Sequence, residues 1–405
     1  MKLIRLLLSL LALVAVPCVL ATTIHVPQDQ PTIQAGINAA NNGDTVLVAP
    51  GKYVENINFM GKAITVTSSG GAKVTTIDGG AVDSVVTFVS GEGLSSVVSG
   101  FTLQNGGSGV YIGSSSPTVR HNIIQNNITG CSSGIVEDFG SPLIQSNVVR
   151  NNSQPGCSGG FGAGMSIDGA GSAQIIGNLI ENNSSSGSGG GITLFAAGTP
   201  TLRNNVIRGN SAQAGQGGGI WIVNDSDALI VQNLIYNNTA SQGGGIYLTV
   251  PSGQVGPTIV NNTIVGAAGV SQGSAVFAGG FDSQVQFFNN LMIGLSGQNA
   301  VDCDGTYSQQ PPTFTNNDAY SPKGTGLQGT CAGQSHQNGN VSASPRFVNP
   351  FKRNYRLRAG SPAINAGTNS APDLPKKDLA GHPRIVGGTI DMGAFEYQGT
   401  ESDRE

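Results

Sequence analysis

The chain has 405 residues, of which 61 are glycine and 10% are charged, and its formal net charge is −4 at pH 7. This charge offers no basic surface for nucleic acid, so we exclude nucleic-acid partners. Hydrophobic residues make up 38% of the sequence and recur at regular intervals, which argues against a disordered chain and favours a turn-rich globular fold.

The first 21 residues are typical of a secretory signal peptide. Lys2 and Arg5 precede an apolar stretch over residues 6–16, and small and apolar residues form a cleavage site at residues 19–21. The apolar stretch is too short for a membrane span. Cys18 follows valine and proline, a poor match to a lipid-attachment motif. We therefore expect an exported protein, either secreted into the medium or held at the cell surface, with no transmembrane segment.

A short amphipathic pattern follows at residues 31–41. Ile33 and Ile37 are four residues apart and share one apolar face of a helix. We expect this helix to cover the apolar end of the structure that follows it in the chain.

One phrase then occurs seven times between residues 117 and 295: apolar residues, an asparagine, an apolar pair and usually a second asparagine. The first asparagines of the copies are Asn122, Asn147, Asn178, Asn205, Asn233, Asn262 and Asn290. Their spacing of 25–31 residues indicates a solenoid, in which each repeat buries its apolar face against its neighbours. Asparagine tolerates left-handed backbone geometry, so we place these residues at tight corners, where stacked coils can align them into ladders.

A second phrase, short and led by glycine, precedes each asparagine phrase, as in GITL at residues 191–194 and GIWI at residues 219–222. Such runs are typical of strands rather than helices. With these two phrases the chain resembles the right-handed parallel β-helix proteins of the pectin-lyase-like superfamily over residues 22–345. The resemblance implies an all-β fold, a right-handed parallel β-helix over residues 22–344 with about eleven coils and the short helix as its N-terminal cap.

Two further segments carry resemblances of their own. Residues 49–80 are similar to the opening of pectin methylesterases, but no later segment matches the catalytic Asp, Asp and Arg blocks of that family. Residues 345–397 resemble the choice-of-anchor Q segment of secreted bacterial β-helix proteins, and we expect them to form a C-terminal cap followed by a tail at residues 398–405. The charged residues of this segment are expected to form internal salt bridges.

Four cysteines remain after the signal peptide. Cys131 and Cys157 follow the first asparagine of adjacent repeats by nine and ten residues, which places them side by side on stacked coils. Cys303 and Cys331 flank a Pro- and Gly-rich insertion. In an exported protein we expect both pairs to form disulfides, with four free thiols as the alternative.

Alignment of the glycine-led strands gives an outward column that contains Trp221, Tyr247 and Phe277 on consecutive coils. Three adjacent aromatic rings form a flat strip on which sugar rings can stack, and an exposed apolar strip marks an interaction site. The alternative is that extra residues around 250–256 and 279–284 cover the strip.

The next outward position places Asp138 and Asp168 on adjacent coils. Two carboxylates that close either bind a cation such as Ca²⁺ or raise one of the two pKa values. They are therefore candidate catalytic or metal-binding residues, with Arg150 as a basic candidate on a neighbouring part of the coil, because the β-helix lyases that the chain resembles combine Ca²⁺-binding acids with a Lys or Arg base. The alternatives are a hydrated acidic pair and, for Arg150, an ion-pair ladder with Glu181 and Arg208.

These observations lead to one functional hypothesis and one alternative. We expect a monomeric, secreted or cell-surface β-helix protein that binds extracellular polysaccharide and has no identifiable catalytic motif. The alternative is a polysaccharide lyase, hydrolase or epimerase that acts on an acidic glycan.

Overall fold

The computed structural model describes residues 20–128, 130–131, 134–156, 161–249, 256–280, 284–306 and 310–399. Most of the predicted signal peptide (residues 1–19), Cys157 and most of the predicted tail (residues 400–405) lie outside the described residues. None of the helices in the described part of the chain is long and apolar enough to cross a membrane.

The chain winds as a solenoid whose coils contribute one strand to each of three long parallel sheets. Sheet 1 contains the glycine-led strands and their continuation at both ends: Ile57–Asn58, Val86–Phe88, Val110–Gly113, Ile135–Asp138, Met165–Asp168, Ile192–Phe195, Ile220–Val223, Ile246–Thr249, Val276–Gly280, Val301–Cys303 and Leu327–Gly329. Sheet 2 precedes the asparagine corner: Thr23–Val26, Thr45–Val48, Thr65–Ser68, Val97–Ser99, Thr118–Arg120, Leu143–Gln145, Gln174–Ile176, Thr201–Arg203, Leu229–Val231, Thr258–Val260, Gln286–Phe288 and Thr313–Thr315. Sheet 3 follows that corner: Gly51–Val54, Thr75–Asp78, Thr102–Gln104, Ile123–Gln125, Val148–Arg150, Leu179–Glu181, Val206–Arg208, Leu234–Tyr236, Thr263–Val265, Leu291–Ile293 and Asp318–Tyr320.

The remaining elements are short. Ser153–Gln154, Ser184–Ser185 and Ser211–Ala212 form a small parallel sheet at a corner. Two antiparallel pairs lie in the C-terminal segment, Phe347–Asn349 with Asn354–Leu357 and Ile385–Val386 with Thr389–Ile390. The helices are the α-helix Ile33–Ala39 and the 3₁₀ turns Ala332–Gln334 and Pro350–Lys352. The predicted all-β solenoid of about eleven coils is confirmed by sheets of eleven and twelve strands.

The core runs along the axis of the solenoid and is built from the inward residues of the strands. In one coil these are Ile192, Leu194, Leu202 and Ile207, each with no exposed surface. Where a glycine precedes a sheet 1 strand, close packing requires it, because a Cβ at Gly219 would lie 2.5 Å from the carbonyl oxygen of Gly245 in the next coil. The stacked coils thus form one continuous hydrophobic core, which no single repeat could form alone.

The first asparagines form a buried ladder between sheets 2 and 3, as predicted. The backbone N–H of Asn205 donates to Asn233 Oδ1 at 2.9 Å, and its side-chain Nδ2 donates to Asn233 Oδ1 and to the carbonyl oxygen of Ile175. The left-handed geometry, however, belongs to the residue before each ladder asparagine, such as Ser146 (φ 55°) or Asn204 (φ 58°). The predicted left-handed corner at the first asparagine is therefore displaced by one residue, because the ladder asparagine turns inward to pair.

The predicted N-terminal helix is confirmed as Ile33–Ala39. Thr32 caps it by accepting a hydrogen bond from the Ala35 N–H, and Glu55 accepts from the N–H groups of Ile33 and Gln34. Ile33 and Ile37 are fully buried against the first coil. The helix therefore covers the N-terminal end of the core.

The C-terminal segment, residues 345–397, lies along the side of the solenoid rather than over its end. Its backbone carbonyl oxygens accept hydrogen bonds from corner side chains of five successive coils: Arg203, Gln232, Asn261, Asn289 and Asn316. Its Tyr355 packs against Tyr236 of sheet 3, and its Met392 packs beside Leu291. Residues 345–397 therefore do not cap the end of the solenoid as predicted. Their apolar side chains pack against apolar residues on the side of the coils, and we call this segment the lateral brace.

Residues 331–340 cover the C-terminal end of the core instead. The Gln334 side chain accepts from the Phe314 N–H at 3.1 Å and donates to the Pro312 carbonyl oxygen at 2.7 Å. The predicted Cys303–Cys331 disulfide is present and ties this region to sheet 1. Cys131 is also disulfide-bonded, but its predicted partner Cys157 is outside the described residues, so that pairing remains a prediction.

Candidate functional site

The strands of sheet 1 stack in the register that the sequence alignment predicts. Val136 pairs with Ser166, and Asp138 pairs with Asp168 on the adjacent coil. Further along the sheet, Trp221 pairs with Tyr247 and Tyr247 with Phe277. Both predicted outward columns therefore exist. An irregularity between Leu248 and Thr249 shifts the register further along the sheet, so that Thr249 pairs with Gly280.

The aromatic column does not form the exposed strip that the sequence predicts. The rings of Tyr247 and Phe277 stack at a centroid distance of 5.3 Å, and the two residues are only 7% and 3% exposed. Trp221 is half-buried, and its indole Nε1 is buried without a hydrogen-bond partner among the described residues. Outward orientation on a strand sets direction but not exposure. Most of the residues predicted as an alternative cover, 250–255 and 281–283, lie outside the described residues. The prediction of an open platform at Tyr247 and Phe277 is wrong.

The acidic column, in contrast, opens into a cavity of about 330 Å³ on sheet 1. We call it the acidic cavity. Its walls come from four successive coils and from the turns beside them: Asp83, Ser84, Ser108, Tyr111, Cys131, Val136, Asp138, Phe161, Ser166 and Asp168. The structure thus brings the predicted residues Asp138 and Asp168 together in a concave site.

Neighbouring hydroxyl groups hold the two carboxylates in place. The Tyr111 hydroxyl donates to Asp138 Oδ2 at 3.0 Å, and the Ser166 hydroxyl donates to Asp168 Oδ2 at 3.3 Å. Asp168 Oδ1 is buried and has no hydrogen-bond partner among the described residues. Burial, with a further contribution from the Asp138 charge, raises the pKa of Asp168 to about 6. Asp168 therefore keeps its proton closer to neutral pH than an ordinary aspartate does, as a proton-donating group requires.

Glu137 lies directly behind this pair, on the inward side of its strand. It is 1% exposed, its Oε1 accepts from the Gly140 N–H, and its Oε2 has no partner among the described residues. Burial raises the pKa of Glu137 to about 8, and the charges of Asp138 and Asp168 add to the effect. The carboxyl is therefore neutral at pH 7, which disfavours a role as a cation ligand beside Asp138 and Asp168.

Two exposed aromatic residues near the acidic cavity were missed from the sequence. Phe161 lines the cavity and is 39% exposed. Phe139 directly follows Asp138 in a left-handed conformation, is 67% exposed and places its ring over Gly169. Both residues are in turns, which lack the strand periodicity used to align the coils. The sequence did contain one signal for an exposed aromatic residue here: Phe139 is a large apolar residue in a turn, between Asp138 and Gly140.

Arg150 lies on a different face of the solenoid from the two acids. Its strand belongs to sheet 3, and its Nε donates to Gln125 Oε1 at 2.9 Å on the preceding coil. Side chains that point outward from sheets 1 and 3 diverge, so the predicted grouping of Arg150 with Asp138 and Asp168 is wrong. The predicted ladder is present in part, as an ion pair of 2.6 Å between Arg208 and Glu181.

The carboxylates offer few ligands for a metal ion. Calcium takes six to eight oxygen ligands, and the described residues contain no cluster of three or more His, Cys, Asp or Glu side chains placed to hold a metal. Asp138 and Asp168 could supply carboxylate oxygens, while water or a bound sugar would have to supply the rest.

Comparison with known proteins agrees with this architecture. Residues 136–292 match the family model described as "Right handed beta helix region". The fold is a right-handed parallel β-helix. Among solved structures, pectate lyase Pel9A is similar over 93% of this chain and 96% of its own, with a TM-score of 0.60 and 17% identity.

A second solved structure is less similar. The A-module of the mannuronan C-5 epimerase AlgE6 from Azotobacter vinelandii matches over 77% of this chain and 94% of its own, with a TM-score of 0.43 and 17% identity. No curated protein matches the sequence. At such low identity the solved structures share the fold, and the chemistry of this chain must be argued from its own residues.

Proposed function

We propose that this protein binds an extracellular polysaccharide in the acidic cavity. The observation that carries the proposal is a concave site in which two carboxylates and exposed aromatic surface converge. Carboxylates accept hydrogen bonds from sugar hydroxyls, and Phe161 offers an apolar face for a sugar ring. The extracellular setting rests on the predicted signal peptide. This site replaces the column of Trp221, Tyr247 and Phe277 as the proposed binding surface, because Tyr247 and Phe277 are buried.

The charge of the acidic cavity indicates an uncharged stretch of glycan. Asp83, Asp138 and Asp168 line it, and no Lys or Arg is among its described lining residues. A uronic acid carboxylate would be repelled by these groups. The same lack of a nearby cation disfavours lyase or epimerase chemistry of the kind named for pectate lyase Pel9A and the AlgE6 epimerase, since proton removal beside a carboxylate needs that charge neutralised.

Hydrolysis at the same site is a second candidate function. Glycoside hydrolysis uses one protonated carboxylic acid and one carboxylate. Asp168, with its pKa raised to about 6, is suited to donate a proton to a leaving oxygen. Asp138 is suited to act as the carboxylate, and it is oriented by the Tyr111 hydroxyl at 3.0 Å.

A polysaccharide screen that scores binding and new reducing ends together tests both candidates. Neutral glucans, galactans and xylans should bind, and Asp138→Asn and Phe161→Ala should each weaken that binding, while the exposed Asp373→Asn serves as control. Reducing ends that disappear in Asp168→Asn, with binding retained, would establish hydrolysis. Binding without products would leave a binding protein. If no neutral glycan binds, or if the cavity variants bind as the parent does, the proposal is rejected.

A further inference from the structure

A second cavity, of about 180 Å³, lies on sheet 3 beside the lateral brace. We call it the flank cavity. Its walls combine the solenoid and the C-terminal segment: Glu181, Asn182, Arg208, Gly209, Tyr236, Asn237 and Arg353. It is on a different sheet from the acidic cavity, and its polar groups are of a different kind.

Arg208 forms the floor of the flank cavity and is held rigidly. Its Nε and Nη2 donate to Glu181 Oε2, and its Nη1 donates to the Tyr236 hydroxyl at 2.8 Å. These three bonds leave two of the five N–H donors of the guanidinium for another acceptor. Because two of these bonds go to one oxygen of Glu181, the Arg208 charge also offsets that of the carboxylate and reduces its repulsion of an incoming anion.

Arg353 brings a second guanidinium from the other side. It follows the 3₁₀ turn Pro350–Lys352 in a left-handed conformation (φ 63°) and is exposed. Within the described part of the chain its guanidinium makes no ion pair or hydrogen bond with another side chain. Asn182 and Asn237 are exposed left-handed corner residues, and their carboxamides add hydrogen-bond donors at the rim. The flank cavity therefore presents two guanidinium groups and two carboxamides to a ligand, against a single carboxylate, that of Glu181.

We propose that the flank cavity binds a carboxylate or sulfate group of an anionic polysaccharide. Guanidinium groups match the planar, charged acceptors of such anions better than they match neutral sugar hydroxyls. Because the site includes Arg353, it exists only when the C-terminal segment is docked on the coils. This site goes beyond the proposed function. It would bind anionic glycan units, whereas the acidic cavity would bind neutral ones, and it lies on another face of the solenoid. The protein would then carry two glycan sites, one for neutral and one for anionic units.

The test measures the affinity of the full chain for polygalacturonate and for chondroitin sulfate by isothermal titration at low ionic strength. Arg353→Gln should weaken binding about tenfold, the effect of losing one charge-assisted contact. Arg346→Gln is a matched control, because Arg346 is also exposed and left-handed on the same segment but does not line the cavity. Arg208→Gln should weaken binding as well, provided that its melting temperature shows a folded chain. Added salt should reduce the parent's affinity.

Three results would overturn the proposal: no binding of either polymer, no effect of Arg353→Gln, or an equal loss in Arg346→Gln, which would indicate diffuse charge attraction. Asp168→Asn, in the acidic cavity, should leave anion binding unchanged. Failure at the flank cavity is therefore distinguishable from failure of the proposed neutral-glycan site.

Discussion

Replacing Glu137 by glutamine should stabilise the protein in alkaline solution. The Glu137 carboxyl is 1% exposed, packs behind the acidic cavity and has one hydrogen bond, from the Gly140 N–H to Oε1. Glutamine keeps the shape of the side chain and the acceptor for Gly140. It is permanently neutral, and its amide donor replaces the hydroxyl that the protonated acid already buries. The substitution thus removes the ionisation of Glu137 and little else.

The magnitude follows from the pKa of Glu137, which burial raises from 4.5 to about 8. A group whose pKa is raised by folding stabilises the folded state fully below its unfolded pKa, and this contribution is lost as the pH rises through the folded value. A difference of one between the folded and unfolded pKa values corresponds to about 1.4 kcal/mol. The parent should therefore lose about 3 kcal/mol between pH 4.5 and 7, and about 5 kcal/mol above pH 8, relative to Glu137→Gln.

Thermal unfolding followed by fluorescence of the only tryptophan, Trp221, measures this difference at pH 4.5, 7 and 8.5. The two proteins should melt together at the lowest pH, and the variant should melt progressively higher as the pH rises. The Asp318 carboxyl, whose pKa burial raises to about 7, occurs in both proteins and cancels in the comparison. Asp373→Asn, at an exposed position, should show no such divergence. A variant that melts below the parent at pH 8.5 would refute the reasoning.

Three further substitutions test the coils. Asn205→Ala should lower the free energy of unfolding by about 3 kcal/mol, because it removes the buried acceptor of the Asn178 N–H and the donor to the Ile175 carbonyl oxygen; a loss below about 1 kcal/mol in urea denaturation would contradict a structural ladder. Tyr247→Ala should cost about 3 kcal/mol and leave glycan binding unchanged, since the ring is buried; lost binding with unchanged stability would restore the aromatic-strip hypothesis. Replacing both Cys303 and Cys331 by serine should lower the free energy of unfolding by about 3 to 4 kcal/mol, because the disulfide closes a loop of 28 residues. If chemical reduction of the parent protein does not lower its melting temperature, this prediction is contradicted.

The sequence alone predicts the solenoid and its register because both depend on short-range regularities. Alternation along a strand selects the inward residues, and the repeat of the asparagine phrase aligns one coil with the next. Those two periods suffice to place Asp138 beside Asp168 and Tyr247 beside Phe277. They also predict the asparagine ladder and the capping helix.

The same regularities do not determine which outward residues are accessible. Tyr247 and Asp168 both point out from sheet 1, yet one is buried in a ring stack and the other lines an open cavity. Exposure depends on the turns, whose lengths vary from coil to coil and which follow no period. Phe161 lines the acidic cavity from such a turn, and Phe139 lies in another turn directly after Asp138, so the alignment of the strands predicts neither residue.

Contacts between distant parts of the chain depend wholly on the tertiary structure. The position of residues 345–397 along the flank follows from how their apolar residues fit the outer surface of sheets 2 and 3, and this fit has no local signature. The flank cavity exists because that docking brings Arg353 to Arg208, 145 residues away in the sequence. The raised pKa of Glu137 has the same origin, since desolvation is a property of everything packed around a group rather than of its neighbours in sequence. Periodicity therefore determines the coils, and long-range packing decides where their chemistry lies.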